Sequence, residues 1–299
     1  MRLRGADERR LKALWERRAA PFQLSDAARR PFRDRQGSVR RAPLFDTDRI
    51  LAFAVGKPSE AFGEPYKVFD SDRVIARLPG PPYQFLDRIT EIRGAKPFVL
   101  EAGAEAVAEY DVPPDAWYFR ANRQKSMPFA VLLEAALQPC GWLAAYLGSA
   151  LRGASDLSFR NLGGKAVLHE EVFPDAGTLT TRVKMTRVSQ SAGMIIQNYD
   201  LEIRRGSRLV YQGDTYFGFF SKEALADQKG ILSASPYSPS AEERARGVEI
   251  EVPACAPLDP EDSASPDPEK LALPAQALRM FDSIPLFIPD GGPARLGFL

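Results

Sequence analysis

Glu134 is the single charged residue in the run Met127–Leu151, 25 positions reading MPFAVLLEAALQPCGWLAAYLGSAL. A carboxyl group shielded from water favours its neutral form, and a neutral carboxyl can pass a proton to a leaving group. Such an acid needs a base for the other half of the proton transfer, and N–H donors where negative charge develops. The chain holds one histidine, His169, in GGKAVLHEEV. Flanked by glutamates in a polar strand pattern, and far in sequence from Glu134, it reads as exposed and non-catalytic. One histidine also excludes a multi-histidine metal site. Cys140 and Cys255 match neither a disulfide framework nor a metal-ligand spacing. Cys140 reads as a small core residue, because nothing nearby would lower its pKa. Two readings of Glu134 stay open: a proton donor, or a structural residue satisfied by Gln138 one turn on or by a strand backbone group.

The elements around Glu134 must position it. Residues 127–151 are apolar on nearly every side, which predicts a long helix buried all round and bent at Pro139. In 177–188, Leu179, Thr181, Val183 and Met185 share one face, with Thr180, Arg182 and Lys184 on the other. In 193–206, Ile195, Tyr199, Leu201 and Ile203 oppose Asn198, Asp200, Glu202 and Arg204. RRGSR (204–208) reads as a hairpin turn into the strand 209–220. Upstream, 46–63 reads as a short helix capped by Asp46 or Thr47 and stopped at Gly56. Residues 77–92 read as a Pro-rich bend followed by a strand or short helix, and 98–113 as a weak strand. Hairpin-linked strands around one buried helix make an α+β, helix-in-sheet architecture.

Composition sets the outer limits. With 299 residues, 44% apolar and 26% charged, the chain is an ordinary globular protein of one large domain or two smaller ones. Residues 1–41 hold thirteen Arg/Lys against five Asp/Glu, so 1–45 reads as a basic, flexible arm. Without interleaved aromatics it reads as a solvated tail, not a nucleic-acid site. The apolar run is long enough for a membrane span. Glu134, at roughly 2.5–3.5 kcal/mol in a bilayer, argues against one, as do Gln138 and Pro139. Cysteine usage and the absence of a signal-peptide pattern make the cytoplasm the default. Residues 231–273, rich in Pro, Ser, Asp and Glu, read as a linker. Beyond them Phe281-Asp282-Ser283-Ile284 echoes Leu86-Asp87-Arg88-Ile89. The expectation is one folded domain at 46–230 and a second, truncated copy of it opening at 274–299.

Several strings carry a resemblance: PPYQFLDRITEI, YDVPPDAWYFRAN, MPFAVLLEAALQPCGWLAAYLGSAL, LSFRNLGGKA, GTLTTRVKMTRVSQSAGMIIQNYDLEI and VYQGDTYFGFF. Together they resemble a FabA-like 3-hydroxyacyl-acyl-carrier-protein dehydratase module. The closest resemblance is to the histidine-lacking half of the tandem dehydratase region of bacterial polyunsaturated fatty acid synthases. The resemblance implies the hot-dog fold, a long central helix wrapped by a curved antiparallel sheet, working in pairs with the site between the two halves. One half supplies a histidine just before the helix, and the other a carboxylate from within it. On this chain the histidine position falls on Asn122, the carboxylate position on Glu134, and the usual glycine after Met-Pro is Phe129.

The resemblance therefore implies the carboxylate-donating half of a pair in fatty acid or polyketide-like synthesis. Glu134 would be the acid, and Met127, Pro128, Phe129, Gln138, Trp117 and Phe119 would contact substrate. Asn122 cannot act as a base, and Phe129 would obstruct the close approach that glycine permits. The implied partners are an acyl carrier protein, whose phosphopantetheine carries the acyl chain, and a His-bearing hot dog in cis or trans, or a second copy. No cofactor, nucleic acid or membrane is implied. The isolated chain is expected to turn over weakly or not at all. The alternatives are a non-catalytic acyl-binding or scaffolding module, and an acyl thioesterase of the same fold in which Glu134 activates water.

Overall fold

The computed structural model describes residues 42–122, 125–191, 193–226, 237–251 and 283–299, with the single positions 275, 278, 279 and 281. The basic arm up to Arg41, most of the 231–273 segment, Cys255 and Asp282 of the four-residue echo lie outside these residues.

The chain enters the fold at Phe45, whose backbone pairs with Ile89 and whose ring is buried. Asp46 then caps helix α1 (Thr47–Ala54), its carboxylate accepting from Arg49 N at 3.0 Å, a contact typically worth about 1 kcal/mol. The helix ends at Ala54, with Val55 as its C-cap and the expected stop, Gly56, next, and α2 (Pro58–Phe62) follows. Phe53 and Phe62, from these two helices, pack ring to ring at 5.0 Å. Phe62 in turn meets Trp142 at 6.0 Å. The segment thus closes one end of the core.

Six antiparallel strands form the sheet: β1 (Arg88–Arg93), β2 (Glu105–Asp111), β3 (Ser158–Leu168), β4 (Thr178–Ser191), β5 (Met194–Arg205) and β6 (Arg208–Phe220). Their order is β1-β2-β4-β5-β6-β3. The inward residues of β4 are Leu179, Thr181, Val183 and Met185, all buried, while Arg182 and Lys184 are exposed. Strand β5 buries Ile195, Tyr199, Leu201 and Ile203. It also buries Gln197, which the alternation of apolar residues does not mark. The β5–β6 hairpin turns at Gly206, whose φ of 59° is the left-handed conformation such a turn requires. Between Trp117–Asn122 (α3) and the long helix the chain bends at Lys125 and Ser126.

The long helix α4 (Phe129–Tyr146) packs on β2, β4 and β5 inside this sheet. The helix-in-sheet expectation is met, and the α+β architecture is the hot-dog arrangement. By length and composition α4 could also cross a membrane. Here its Val131, Ala135, Trp142 and Leu143 are core residues. Its C-terminal end is held by Tyr66, whose hydroxyl donates to Ala145 O. Ser149 Oγ bonds Ala144 O at 2.7 Å, and Gln197 Nε2 bonds Ser149 Oγ at 2.6 Å. Tyr199 completes this buried network, donating to Gln197 Oε1 at 2.9 Å.

Three expectations need correction. The helix is not buried on all sides: Phe129 and Ala130 are exposed and Leu133, Glu134, Leu137 and Gly141 half-buried. Those positions follow helical spacing, so the sheet wraps α4 incompletely and leaves one stripe open along it. The segment after 231 is not all linker. Ser240 and Glu243 form a capping box at the start of α5 (Ala241–Ala245), which satisfies two backbone donors at once. Strand β7 (Val248–Glu251) then pairs with β8 (Ser283–Phe287). The arm boundary at 45 also falls too late, because Leu44 N and Phe45 N both bond Ile89 O.

Strand β3 is the unusual element. It lies at the sheet's edge, hydrogen-bonded to β6 alone, and all but one of its residues are exposed. Its close approach to β6 depends on glycine: a Cβ on Gly213 would sit 2.3 Å from Lys165 O. Phe159, Leu162, Val167 and Leu168 leave 40 to 58% of their surface in water. An edge with free backbone groups and large apolar side chains favours pairing with another chain or domain.

Candidate functional site

The site residues expected from sequence fall into two groups. The first surrounds Glu134, on the half-open stripe of α4. One turn on, Gln138 is almost wholly buried and uses its whole amide. Its Oε1 accepts from Phe85 N at 2.7 Å, and its Nε2 donates to Tyr83 O at 2.9 Å and to Glu134 Oε2 at 3.3 Å. The 82–85 segment is also tied to α3, where Trp117 Nε1 donates to Pro82 O at 3.1 Å. The ring of Tyr83 packs on Phe85 at 4.9 Å and Trp117 at 6.5 Å. The Tyr83 hydroxyl is pushed up from the usual phenol range, first by burial and then by the Glu134 charge. The sequence reading missed this half-buried tyrosine. Phe119 is buried against Tyr118, with ring centroids 4.7 Å apart, and belongs to the core.

The Gln138 amide occupies Oε2 as an acceptor and leaves Oε1 as the carboxyl oxygen open to a further partner. That oxygen has no hydrogen bond among the described residues.

The second group lines a cavity of about 220 Å³ at the start of α4. Asn122, Met127, Pro128 and Phe129 border it, with Ser126, Leu132, Leu168, Glu171 and Val172. Met127 N donates to Val172 O at 2.7 Å, which docks the β3–β4 loop onto the segment just before α4. Asn122 Nδ2 reaches Ser126 O at 3.4 Å, and Ser126 Oγ donates to Glu171 Oε1 at 3.2 Å. Phe129 is 55% exposed at the rim, its ring 6.1 Å from Tyr211. Ser126 and Glu171 were not singled out from sequence. Glu171 arrives from 45 positions downstream, a contact that no local pattern announces. Glu134 does not line this cavity, so one copy of the fold does not join its own Asn122 position to its own carboxylate.

His169 is exposed just beyond β3, its backbone N–H on Val210 O at 2.8 Å. It borders a cavity of about 720 Å³ on the outer face of the sheet, with Lys165, Arg182, Lys184, Asp200 and Asp214. Neither Asn122 nor Glu134 lines that cavity. Cys140 is fully buried, and burial pushes its thiol up. Among the described residues no group of three or more His, Cys, Asp or Glu side chains could hold a metal ion.

The chain is 28% identical over 199 residues to a polyunsaturated fatty acid synthase polypeptide of Thraustochytrium sp.. That match covers 64% of this chain and 13% of the relative's length. Among solved structures, the dehydratase heterocomplex ApeI:P from Xenorhabdus doucetiae matches with a TM-score of 0.36 and 14% identity, over 49% of this chain and 90% of that one. A mutant thioesterase from Pseudomonas aeruginosa matches with a TM-score of 0.32 and 11% identity, over 44% of this chain and 80% of that one. The FabA-like domain model matches residues 78–214, the stretch that holds β1, β2, α4, β3 to β5, Glu134 and Asn122. Over this stretch the chain is similar to a FabA-like domain.

Proposed function

We propose that this chain is the carboxylate-donating half of a 3-hydroxyacyl dehydratase pair in fatty acid or polyunsaturated fatty acid synthesis. The observation that carries the reading is the Gln138–Glu134 arrangement. A buried amide fixes one carboxyl oxygen and leaves Oε1 on the open stripe of α4, where a second hot dog could bring substrate. In the proposed reaction a base on the partner takes the C2 proton of a 3-hydroxyacyl thioester. The C3–O bond breaks as Glu134 Oε1 gives its proton to the departing hydroxyl, so water leaves and a C2–C3 double bond remains. The substrate would arrive on the phosphopantetheine of an acyl carrier protein. The open apolar edge of β3 supports a paired assembly. The test is dehydration of a 3-hydroxyacyl thioester by this chain mixed with a His-bearing dehydratase hot dog, with and without Glu134→Gln. Turnover indifferent to Glu134 would end the reading.

A non-catalytic acyl-binding role is the second reading, favoured by Asn122 at the position where the resemblance implies histidine. An amide has no basic nitrogen at accessible pH. Tight association with the partner, or acyl-thioester binding, without any gain in turnover would mark that role.

A further inference from the structure

Two half-buried polar groups near the open stripe of α4 have no hydrogen bond among the described residues: Glu134 Oε1 and the Tyr83 hydroxyl. A single side chain joins the residues that carry them. Gln138 Nε2 donates to Glu134 Oε2 at 3.3 Å and to Tyr83 O at 2.9 Å, while Gln138 Oε1 accepts from Phe85 N at 2.7 Å. The backbone of Tyr83 is thereby fixed against the turn of α4 that bears the carboxyl. Its ring is fixed as well, packed on Phe85 at 4.9 Å and Trp117 at 6.5 Å, with Trp117 itself tied to Pro82 O at 3.1 Å. A ring held by anchored neighbours loses little further freedom when its hydroxyl takes a partner. Burial first, and then the Glu134 charge, raise the pKa of this hydroxyl, so it stays an O–H donor at neutral pH.

We propose that Tyr83 is a positioning residue for Glu134: its hydroxyl donates to Oε1 and holds the carboxylate that remains once the proton has left. The proposal rests on the dehydratase reading above and adds the group that steadies its acid. Oε1 has two lone pairs for the two tasks. One carries the proton to the departing hydroxyl of the substrate, and the other accepts the Tyr83 O–H. Tyr83 keeps its own proton throughout. A hydrogen bond to an ionised acceptor is roughly twice as strong as one to a neutral acceptor. The contact therefore strengthens as the C3–O bond breaks and charge gathers on Glu134, and an interaction that strengthens at that moment raises kcat more than it lowers KM.

The test has two arms, both on the full chain. In the first, the tyrosines carry a carbon-13 label at Cζ and the isolated chain is followed by NMR as pH crosses the carboxyl range. The signal lost in Tyr83→Phe identifies Tyr83. In the unaltered chain that signal should move in one titration step, and Glu134→Gln should abolish the step. Phe85 and Trp117, packed on the ring, carry no charge, so Glu134 is the expected source. A Tyr83 signal that is flat with pH, or a step that survives Glu134→Gln, would overturn the proposal.

In the second arm the chain is combined with a His-bearing hot dog and given a 3-hydroxyacyl thioester. Tyr83→Phe, which keeps the ring and the backbone bond to Gln138, should lower kcat by about tenfold and change KM by less than about twofold. Adding Tyr83→Phe to Glu134→Gln should slow turnover no further, because Tyr83 acts through the carboxyl. An unchanged kcat in Tyr83→Phe, or a full additional loss in the double variant, would overturn the proposal. Turnover indifferent to Glu134 would instead overturn the dehydratase reading, and the NMR arm would still decide whether Tyr83 and Glu134 pair.

Discussion

Gln138 Nε2 lies 3.3 Å from Glu134 Oε2, one helical turn away, and the same nitrogen donates to Tyr83 O at 2.9 Å. This amide is the joint between the carboxylate and the 82–85 segment. Replacing it by leucine leaves Phe85 N–H and the Tyr83 carbonyl without their partner. Gln138→Leu should lower stability by roughly 1–3 kcal/mol in chemical denaturation. In the reconstituted pair it should lower kcat more than it raises KM, because the lost contact orients the acid. A variant with unchanged stability would mean that the amide does not hold the segment.

Arg88 ties the first strands together. The residue is 5% exposed, and its Nη1 and Nη2 meet Asp111 at 2.7 and 3.0 Å while Nε meets Glu109 at 2.6 Å. Burial alone would lower its pKa, but the Asp111 and Glu109 carboxylates outweigh that and raise it. Removing one partner of a fully buried pair costs about 3–5 kcal/mol. Asp111 is partly exposed, so Arg88→Ala should cost less, about 2 kcal/mol, read as a shift in denaturation midpoint.

A pH dependence follows from Glu105 on β2. The Arg182 hydrogen bond, the largest favourable cause, and the Lys184 contact hold its carboxyl below the usual range against a smaller effect of burial. A carboxylate whose folded pKa lies below its unfolded one contributes stability above the unfolded value, near about 4.3. That contribution is lost as pH falls through the folded value. Glu105→Gln should therefore flatten the acid side of the stability curve, with little change in slope at neutral pH. An acid limb identical to the parent's would assign no such role to Glu105.

Cys140 offers a probe of core integrity. Its thiol is fully buried on α4, and burial raises its pKa, so the reactive thiolate is depleted while the fold persists. Alkylation at Cys140, resolved from Cys255 by peptide mass spectrometry, should proceed only in denaturant. Rapid labelling under native conditions would contradict the packing described around α4.

Much of the architecture was legible from periodicity. Alternation in β4 and β5 and the Gly206 turn pointed to the hairpins, because one face of each strand is buried and the other wet. Asp46 marked its helix for the same kind of local reason. Of strand β3 only the GGKAVL end read as part of a polar strand, and its start at Ser158 was not apparent, since an edge strand exposed on nearly every residue has no buried face to impose alternation. The open stripe of α4 was hidden too: Leu133 and Leu137 read as core residues whether a sheet or a partner covers them. At the site, Glu134 and Gln138 were visible because they interrupt an apolar helix. Ser126 and Glu171 were not, because their contact joins two loops that sequence spacing does not relate.

The central claim is that the proton donor resides on this chain and the base on another hot dog. The most direct measurement is the rate of enoyl product formation from a 3-hydroxyacyl thioester when the chain is combined with a His-bearing partner whose own helix carboxylate has been removed. The account expects turnover that depends on both proteins and falls by at least about a hundredfold in Glu134→Gln, with the fold intact. Turnover that persists in Glu134→Gln, or robust dehydration by this chain alone, would contradict it.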